Sequence, residues 1–391
     1  MSGALPWILA ALPIAAAAYA YAAYPLLLRA IAPARAVPSP PPSEWPLATI
    51  VVPAYNEAAQ IAGSIESLLA QDYPADRRQI LILSDGSTDR TDEIVRSYAA
   101  QGVELLRMPA RSGKTAAENA SCERIRGDVV VNTDASIRFH PACVRSLVAA
   151  MRDPAVGVAS GRDVSVAAGD AAANTTEAGY VGYEMRIRAL ETATGGIVGA
   201  SGSGYAIRAD LHKRPVRGDL SRDFSAALTA RTHGFMAVSV DEAICYVPRT
   251  TTLRSEYRRK VRTIRRGMET LMFQRHLLNP FRYGRFAWKL FSHKVCRWMV
   301  PVMLVPGAVG LALLAGDYAW ARVVAGLAIA GALLAAVGAL WPRGRSVPRL
   351  LSIAAFGAAA NVAVVHALLR VMRRREDRLW EPTRREPAAT A

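Results

Sequence analysis

Asp128-Val-Val-Val-Asn-Thr-Asp-Ala-Ser136 is a β-branched run that ends on a carboxylate. Val129 to Val131 read as a buried strand, and the chain then delivers Asp134 to the point where that strand must stop. In an open α/β sheet this rim is where ligands bind. A carboxylate there, followed by the small residues Ala135 and Ser136, suits a hard divalent cation bridging to phosphate oxygens. The same residues also suit an acidic turn or a helix cap. What lies on either side separates the two readings.

Upstream, a strand-then-helix rhythm repeats. Ala48-Thr-Ile-Val-Val52 reads as a buried strand broken by Pro53, and Ile61, Ile65, Leu68 and Leu69 give residues 57–70 a helical spacing. Gln79-Ile-Leu-Ile-Leu83 is a second strand, ended by Ser84-Asp-Gly-Ser-Thr-Asp89, in which Thr88 or Asp89 caps the next helix. Residues 103–106 predict a third strand and 113–124 a helix. Repeated β-α-β units predict an α/β fold with a doubly wound, mostly parallel sheet. Asp85 and Asp134 then stand at carboxyl ends of strands on one rim.

Downstream of residue 141 the rhythm is less regular. A helix is expected over 177–191, then the glycine-rich stretch Gly195-Gly-Ile-Val-Gly-Ala-Ser-Gly-Ser-Gly204 leading into a strand over 205–208. Arg222-Asp223 opens another helix, and 236–240 reads as a strand. Tyr257, Val261, Ile264, Met268 and Leu271 then form one apolar helical stripe, with Arg258, Arg262, Arg265 and Arg266 off it. Arg282, Arg285, Lys289, His293 and Arg297 line a second helical face, with Phe286, Leu290, Phe291 and Trp298 away from it. Basic amphipathic helices with Trp and Phe, set beside long apolar segments, point to the membrane interface rather than to a solvated globular face.

Residues 5–28 carry no charge and are long enough to cross a bilayer. Arg29 and Arg35 follow, and no positive charge precedes the apolar core as it does in a cleaved signal peptide. The expectation is a signal anchor with the next domain in the cytoplasm. Residues 33–46 form a stiff proline-rich linker. Three apolar segments, 298–314, 320–340 and 350–369, close the chain. If all three span, the Arg343, Arg345 and Arg349 loop is inside but the Arg373-Arg-Arg375 tail is outside, against the positive-inside rule. Either that holds, or one segment is re-entrant or lies flat. The division read here is a transmembrane anchor (1–31), linker (32–47), cytoplasmic domain (48–250), interfacial helices (251–297), transmembrane region (298–370) and basic tail (371–391).

A net charge of +16 over 391 residues admits nucleic acid, an anionic membrane or a phosphorylated substrate as partner. The basic residues gather beside apolar segments, which favours the other two over nucleic acid. Cys122, Cys143, Cys245 and Cys296 show no metal or redox spacing and read as reduced and structurally incidental.

Taken in order, Pro53-Ala-Tyr-Asn-Glu57, Ser84-Asp-Gly-Ser-Thr-Asp89 and Asn132-Thr-Asp-Ala-Ser136 resemble the nucleotide-sugar domain of family 2 glycosyltransferases. The membrane-embedded members, such as cellulose, hyaluronan and poly-N-acetylglucosamine synthases, are similar in general layout. The resemblance covers roughly residues 48–298 and implies a GT-A-type sheet flanked by transmembrane and interfacial helices. It implies that Ala54, Tyr55 and Glu57 sit against the nucleoside, that Asp85 contacts base or ribose, and that Lys114 lies near the base or phosphates. Asp134 resembles the first carboxylate of the family's Asp-x-Asp motif for Mg2+ or Mn2+, with Ser136 in place of the second. Ser201, Gly202, Ser203, Gly204 and Tyr205 resemble the acceptor-side loop. Arg222-Asp223 resembles the family's Glu-Asp pair, with Asp223 as the base. The family's Gln-x-x-Arg-Trp motif falls near 260–264 and is not present as such; Arg262 and Arg265 stand in for its phosphate-facing charge.

The chemistry of the residues agrees. A leaving nucleoside diphosphate is stabilised by a divalent cation and nearby Arg or Lys, and an acceptor hydroxyl needs a base within hydrogen-bond reach. The expected function is inverting transfer from a nucleotide sugar, UDP first, to a growing polysaccharide or glycolipid at the cytoplasmic membrane face. Two rivals stand: transfer of one sugar to a polyprenyl phosphate, and a degenerate nucleotide-binding scaffold, for which Ser136, Arg222 and the missing motif speak. Gly113-Lys-Thr115 is no phosphate-binding loop, because Met108 stands where that motif needs glycine. Gly202-Ser-Gly204 follows no βαβ opening strand and is no dinucleotide fingerprint. The sequons at Asn119 and Asn174 are irrelevant to a cytoplasmic domain.

Overall fold

The computed structural model describes residues 3–33, 44–166, 172–248, 253–342 and 347–373. Residues 34–43 of the expected linker, the Arg343 and Arg345 loop and the tail beyond residue 373 lie outside the described residues. Among the described residues eight strands form one sheet in the order β3-β2-β1-β4-β7-β6-β8-β5. They are β1 (Ala48–Ala54), β2 (Arg78–Ser84), β3 (Val103–Arg107), β4 (Val129–Thr133), β5 (Arg138–Phe139), β6 (Val156–Val166), β7 (Gly204–Arg208) and β8 (Met236–Pro248). The pairs β1–β2, β2–β3, β1–β4 and β6–β8 are parallel, and β4–β7, β6–β7 and β5–β8 antiparallel. The sheet is mixed and mostly parallel, as the βαβ rhythm predicts.

Side chains alternate across each strand, so β1 feeds two cores at once. Ile50 and Val52 pack on the α2 (Ile61–Leu69) side with Ile65, Leu68 and Leu147, while Val51 packs on the other face with Leu83, Val130 and Ile207. Burial on both faces explains why these strands read as continuous apolar runs. Helix α2 begins four residues later than the periodicity from Glu57 suggests. Glu57 belongs to the loop, its carbonyl accepting from Gln60 and Ile61, and its N–H donating to Thr91 Oγ1 at 2.8 Å.

Several elements escape the sequence reading, β5 among them. β6 was not expected, and β8 runs to Pro248 rather than Val240. β6 contains Gly157 and Gly161, whose substituted Cβ atoms would lie 2.6 Å from Phe235 Cβ and 2.8 Å from the Ala243 carbonyl. Close backbone approach, not a strand-like side-chain pattern, builds this edge. Cys143 and Cys245 are free and buried, with sulfurs 3.9 Å apart in the core beneath it.

Further helices are α3 (Thr91–Ser97), α4 (Lys114–Ala120), α5 (Cys143–Ala150), α6 (Ala172–Ala193), α7 (Arg222–Thr232) and α8 (Leu253–Phe273). Among the described residues four helices are long and apolar enough to cross a membrane: α1 (Ala4–Ile31), α9 (Arg285–Asp317), α10 (Ala319–Ala339) and α11 (Arg349–Met372). α1 and α9 pack closely because Gly307 and Gly310 leave room for Pro13 and for the Pro6–Ala10 backbone.

Protein packs against both basic helices. The apolar stripe of α8 is covered by protein: Val261 packs on Ala363 and Ala367 of α11, and Leu271 joins Phe224 and Leu228. In α9 the residues expected on an interfacial face turn inward. His293 bridges Glu191 at 2.7 Å and Glu184 at 2.9 Å, and Arg297 meets Glu184 at 2.7 Å. Lys289 is fully buried and donates to the carbonyls of Glu191, Thr194 and Gly196. The physical reason is the pair of acidic residues on α6, some hundred positions away in sequence.

Candidate active site

Three loops converge because β1, β2 and β4 run parallel. Register aligns Ala54 with Ser84 and Val51 with Asn132, so 53–57, 84–89 and Asp134 leave the sheet at one rim. β7 is antiparallel to β4 and pairs Gly204 with Thr133, which brings 201–204 to the same rim beside Asp134. Thr133 Oγ1 donates to the Ser203 carbonyl at 2.7 Å and pins this approach.

The first two loops are stitched together. Asn56, with φ of 53°, accepts from Thr88 N–H at 2.8 Å, and Ala58 N–H donates to Asp89 at 3.1 Å. Asp89 also accepts from Thr91 N–H at 3.0 Å, but it stands one residue ahead of the N-cap position, which Arg90 holds in place of the expected Thr88 or Asp89. Ala54 ends β1 fully buried, its carbonyl accepting from Asp85 N–H. Tyr55 lies under the Arg111 guanidinium, 3.9 Å from the ring centroid. Asp85 is 2% exposed and accepts from the N–H groups of Ser112 and Gly113, each at 2.7 Å. It therefore fastens the loop that leads into Lys114. Gly86 must be glycine: φ is +69° and a Cβ would lie 2.9 Å from Arg111 N.

Lys114 opens α4 and donates to Asp134 Oδ1 at 2.5 Å. Burial lowers its affinity for a proton, but the carboxylates of Asp134, Glu118 and Asp223 outweigh burial and hold the ammonium above its ordinary value. Glu118, one turn further along α4, is 1% exposed; burial pushes its carboxyl up against the opposing pull of Lys114 and Arg222.

Asp223 is the second residue of α7, and Ser221 holds the N-cap position. Ser221 Oγ and Phe224 N–H both donate to Asp223 Oδ1. The other oxygen faces the glycine loop, 2.9 Å from where a Cβ on Gly202 would stand. Ser221 N–H in turn donates to Thr270 Oγ1 of α8 at 2.9 Å, tying the start of α7 to that helix. Arg222 points the other way: it donates to Asn119 Oδ1 at 2.6 Å and to the His212 carbonyl at 2.8 Å, and approaches Glu118 at 3.9 Å. Burial, with Arg222 and Lys213, pushes the His212 imidazole well down, so it is neutral there.

Ser201 donates from Oγ to Asp163, with oxygens at 2.7 and 2.8 Å, and its N–H reaches Ser160 Oγ, to which Arg188 also donates. Tyr205 is buried, and burial, with Glu118 adding to it, raises its phenol well above the ordinary value. Behind Asp163 opens a cavity of about 610 Å3 whose lining includes Arg162, Asp163, Tyr183, Arg186 and Asp241. Arg162 and Arg186 form no ion pair among the described residues. Arg262 and Arg265 stand on α8, Arg265 buried with Nε 3.7 Å from Glu269. Sequence reasoning missed Glu118, Asp163 and Arg188. The Lys114–Glu118 spacing of four on one helix was a signal for the first.

Among the described residues no three His, Cys, Asp or Glu side chains gather to hold a metal ion by themselves. The donor set at the rim is the Asp134 carboxylate, 29% exposed, with Ser136 two residues on. One carboxylate fits a hard cation that takes its remaining ligands from diphosphate oxygens and water. Asp134 would hold it, and Lys114 already shares that carboxylate.

Residues 49–213 match the family Glycosyl transferase family 2. An N-acetylglucosaminyltransferase of Mesorhizobium japonicum is 34% identical over 129 residues, covering 32% of this chain and 30% of that protein. A beta-monoglucosyldiacylglycerol synthase of Synechocystis is 30% identical over 171 residues, covering 42% of this chain and 35% of the relative. The aligned stretches thus span about a third of these relatives. The fold is that of a mannosyltransferase from Pyrobaculum calidifontis, solved with GDP-Man and Mn2+: TM-score 0.72, 22% identity, covering 94% of this chain and 100% of that one.

Proposed function

Because residues 49–213 match Glycosyl transferase family 2, we propose that this chain moves a sugar from a nucleotide donor to an acceptor at the membrane surface, with inversion at the anomeric carbon. The observation that carries the reading is the convergence of Lys114, Asp134 and Asp223 at one rim, with Asp223 Oδ2 against Gly202. Tyr55 and Arg111 face the nucleoside, and Lys114 faces the diphosphate. Arg262 and Arg265 add positive charge from α8. A divalent cation, Mg2+ or Mn2+, held by Asp134 supplies further charge for the leaving group when bound.

Asp223 takes the proton of the acceptor hydroxyl. The hydroxyl oxygen bonds to the anomeric carbon as the bond from that carbon to the diphosphate oxygen breaks, and the electron pair leaves with the nucleoside diphosphate. The glycine loop lets the acceptor approach Asp223 closely, because no side chain stands between them. Such a base contributes about 10²–10⁴-fold in rate. Arg29, in the last turn of α1, supports a domain on the cytoplasmic side of the cytoplasmic membrane.

The acceptor is a growing glycan or a glycolipid. A specific observation favours a second reading, one sugar placed on a phosphate-bearing lipid: Arg162 and Arg186 line the cavity beside Ser201 with their charge uncompensated by any ion pair among the described residues. The test offers purified, membrane-embedded protein a panel of UDP- and GDP-sugars with Mg2+ or Mn2+, and follows diphosphate release and product. One donor consumed into a polymer or neutral glycolipid supports the first reading, and one sugar on an extractable lipid phosphate the second. Nucleotide binding without turnover of any donor in the presence of native membranes would overturn both in favour of a binding scaffold.

A further inference from the structure

Aromatic rings fix the membrane frame. Trp7 of α1 packs against Tyr318 and Trp320, with ring centroids 5.2 and 5.6 Å apart, at the turn between α9 and α10. At the other end of α1, Tyr24 packs against Trp288, and its hydroxyl donates to Glu191 of the catalytic domain at 2.5 Å. Trp7 and Tyr24 are 17 residues apart (24 − 7), or about 26 Å of helix. That matches two aromatic belts across a hydrocarbon layer of about 30 Å. The Tyr24 end is the catalytic side. α9 leaves it, turns at Tyr318, and α10 returns to it.

α11 does not fit a further crossing. Phe356 lies under the Lys260 ammonium of α8 at 4.0 Å, and His366 Nδ1 meets the Tyr257 hydroxyl at 2.8 Å. Val261 packs on Ala363 and Ala367. The contacts run from residue 356 to 367, the middle of a 24-residue helix. An upright α11 would hold this stretch in the hydrocarbon core, about 10 Å below its own start at 1.5 Å per residue. α8 would go with it, carrying Arg258, Arg259, Lys260, Arg262, Arg265 and Arg266. Each such charge is strongly disfavoured in hydrocarbon. α11 also packs on α6 of the catalytic domain.

We propose that α11, although apolar enough to cross, lies in the headgroup layer of the catalytic-side leaflet, and that α8 and α11 together form the platform on which the catalytic domain rests. Leu350, Val362 and Met372 are exposed and face the acyl chains, while Arg349, Arg370 and Arg373 at the two ends meet lipid phosphates. The described residues then cross three times, and Arg373 stays on the side the positive-inside rule requires.

Parity tests this in the full chain. Epitope tags at the two termini, probed by protease in sealed vesicles of both orientations, should lie on opposite faces; tags on one face overturn the proposal. Arg349→Cys and Arg373→Cys, at the two ends of α11, labelled by a membrane-impermeant maleimide above the wild-type background, should react from the same face. Reaction from opposite faces would mean that α11 crosses. Neither readout depends on catalysis.

Discussion

Gly202→Ala isolates the geometry on which the proposed base depends. Gly202 has no left-handed φ, so its backbone accepts alanine, and only the new methyl matters. Its Cβ would stand 2.9 Å from Asp223 Oδ2, where ordinary contact begins near 3.4 Å, an overlap of 0.5 Å (3.4 − 2.9). Oδ1 is held by Ser221 and Phe224 N–H, so the carboxylate must pivot or the loop must give. A misplacement of 1 Å costs about 10²-fold in rate, and half that distance about tenfold, or about 1.4 kcal/mol of barrier. Initial rates of transfer should fall by that factor, while nucleotide affinity measured by calorimetry stays at the wild-type value. Transfer at the wild-type rate, or a matching loss of nucleotide binding, would refute the reasoning.

Asp134→Ala should remove the dependence of turnover on Mn2+ and lower the rate at least about 10²-fold, as loss of charge stabilisation at a leaving group does; titrating Mn2+ against diphosphate release checks it. Lys289→Met should destabilise the protein by about 1–3 kcal/mol or more, because three buried carbonyls lose their donor, read as a lower unfolding midpoint in detergent. Burial, against the pull of Arg188 and Ser201, raises the Asp163 carboxyl above its ordinary value. The folded state then keeps a proton the unfolded chain has released, so stability falls as pH rises from the ordinary carboxylate value through the raised one. Asp163→Asn should flatten that fall in denaturation followed across mildly acidic pH, and an unchanged slope would assign it elsewhere.

The rim was legible because its signals are local. A β-branched strand ending on Asp85 or Asp134, and glycines ahead of β7, specify strand ends within a few residues. Arg222-Asp223 opening a helix was legible for the same reason, but Arg222 turning back to Asn119 and Glu118 was not, since those partners lie about a hundred positions earlier. The partners of the face from Arg282 to Arg297 were illegible for the same cause: Glu191 and Glu184 hold His293 and Arg297 in buried contacts. β6 lacked a readable pattern because its place depends on Gly157 and Gly161 admitting neighbouring chain.

The most direct test of the central claim compares wild type with Asp223→Asn in sealed membranes supplied with a radiolabelled donor and scored for both nucleotide binding and sugar incorporated. The account predicts equal binding, with incorporation lowered by about 10²–10⁴-fold in the variant. Equal incorporation by the two proteins would contradict it.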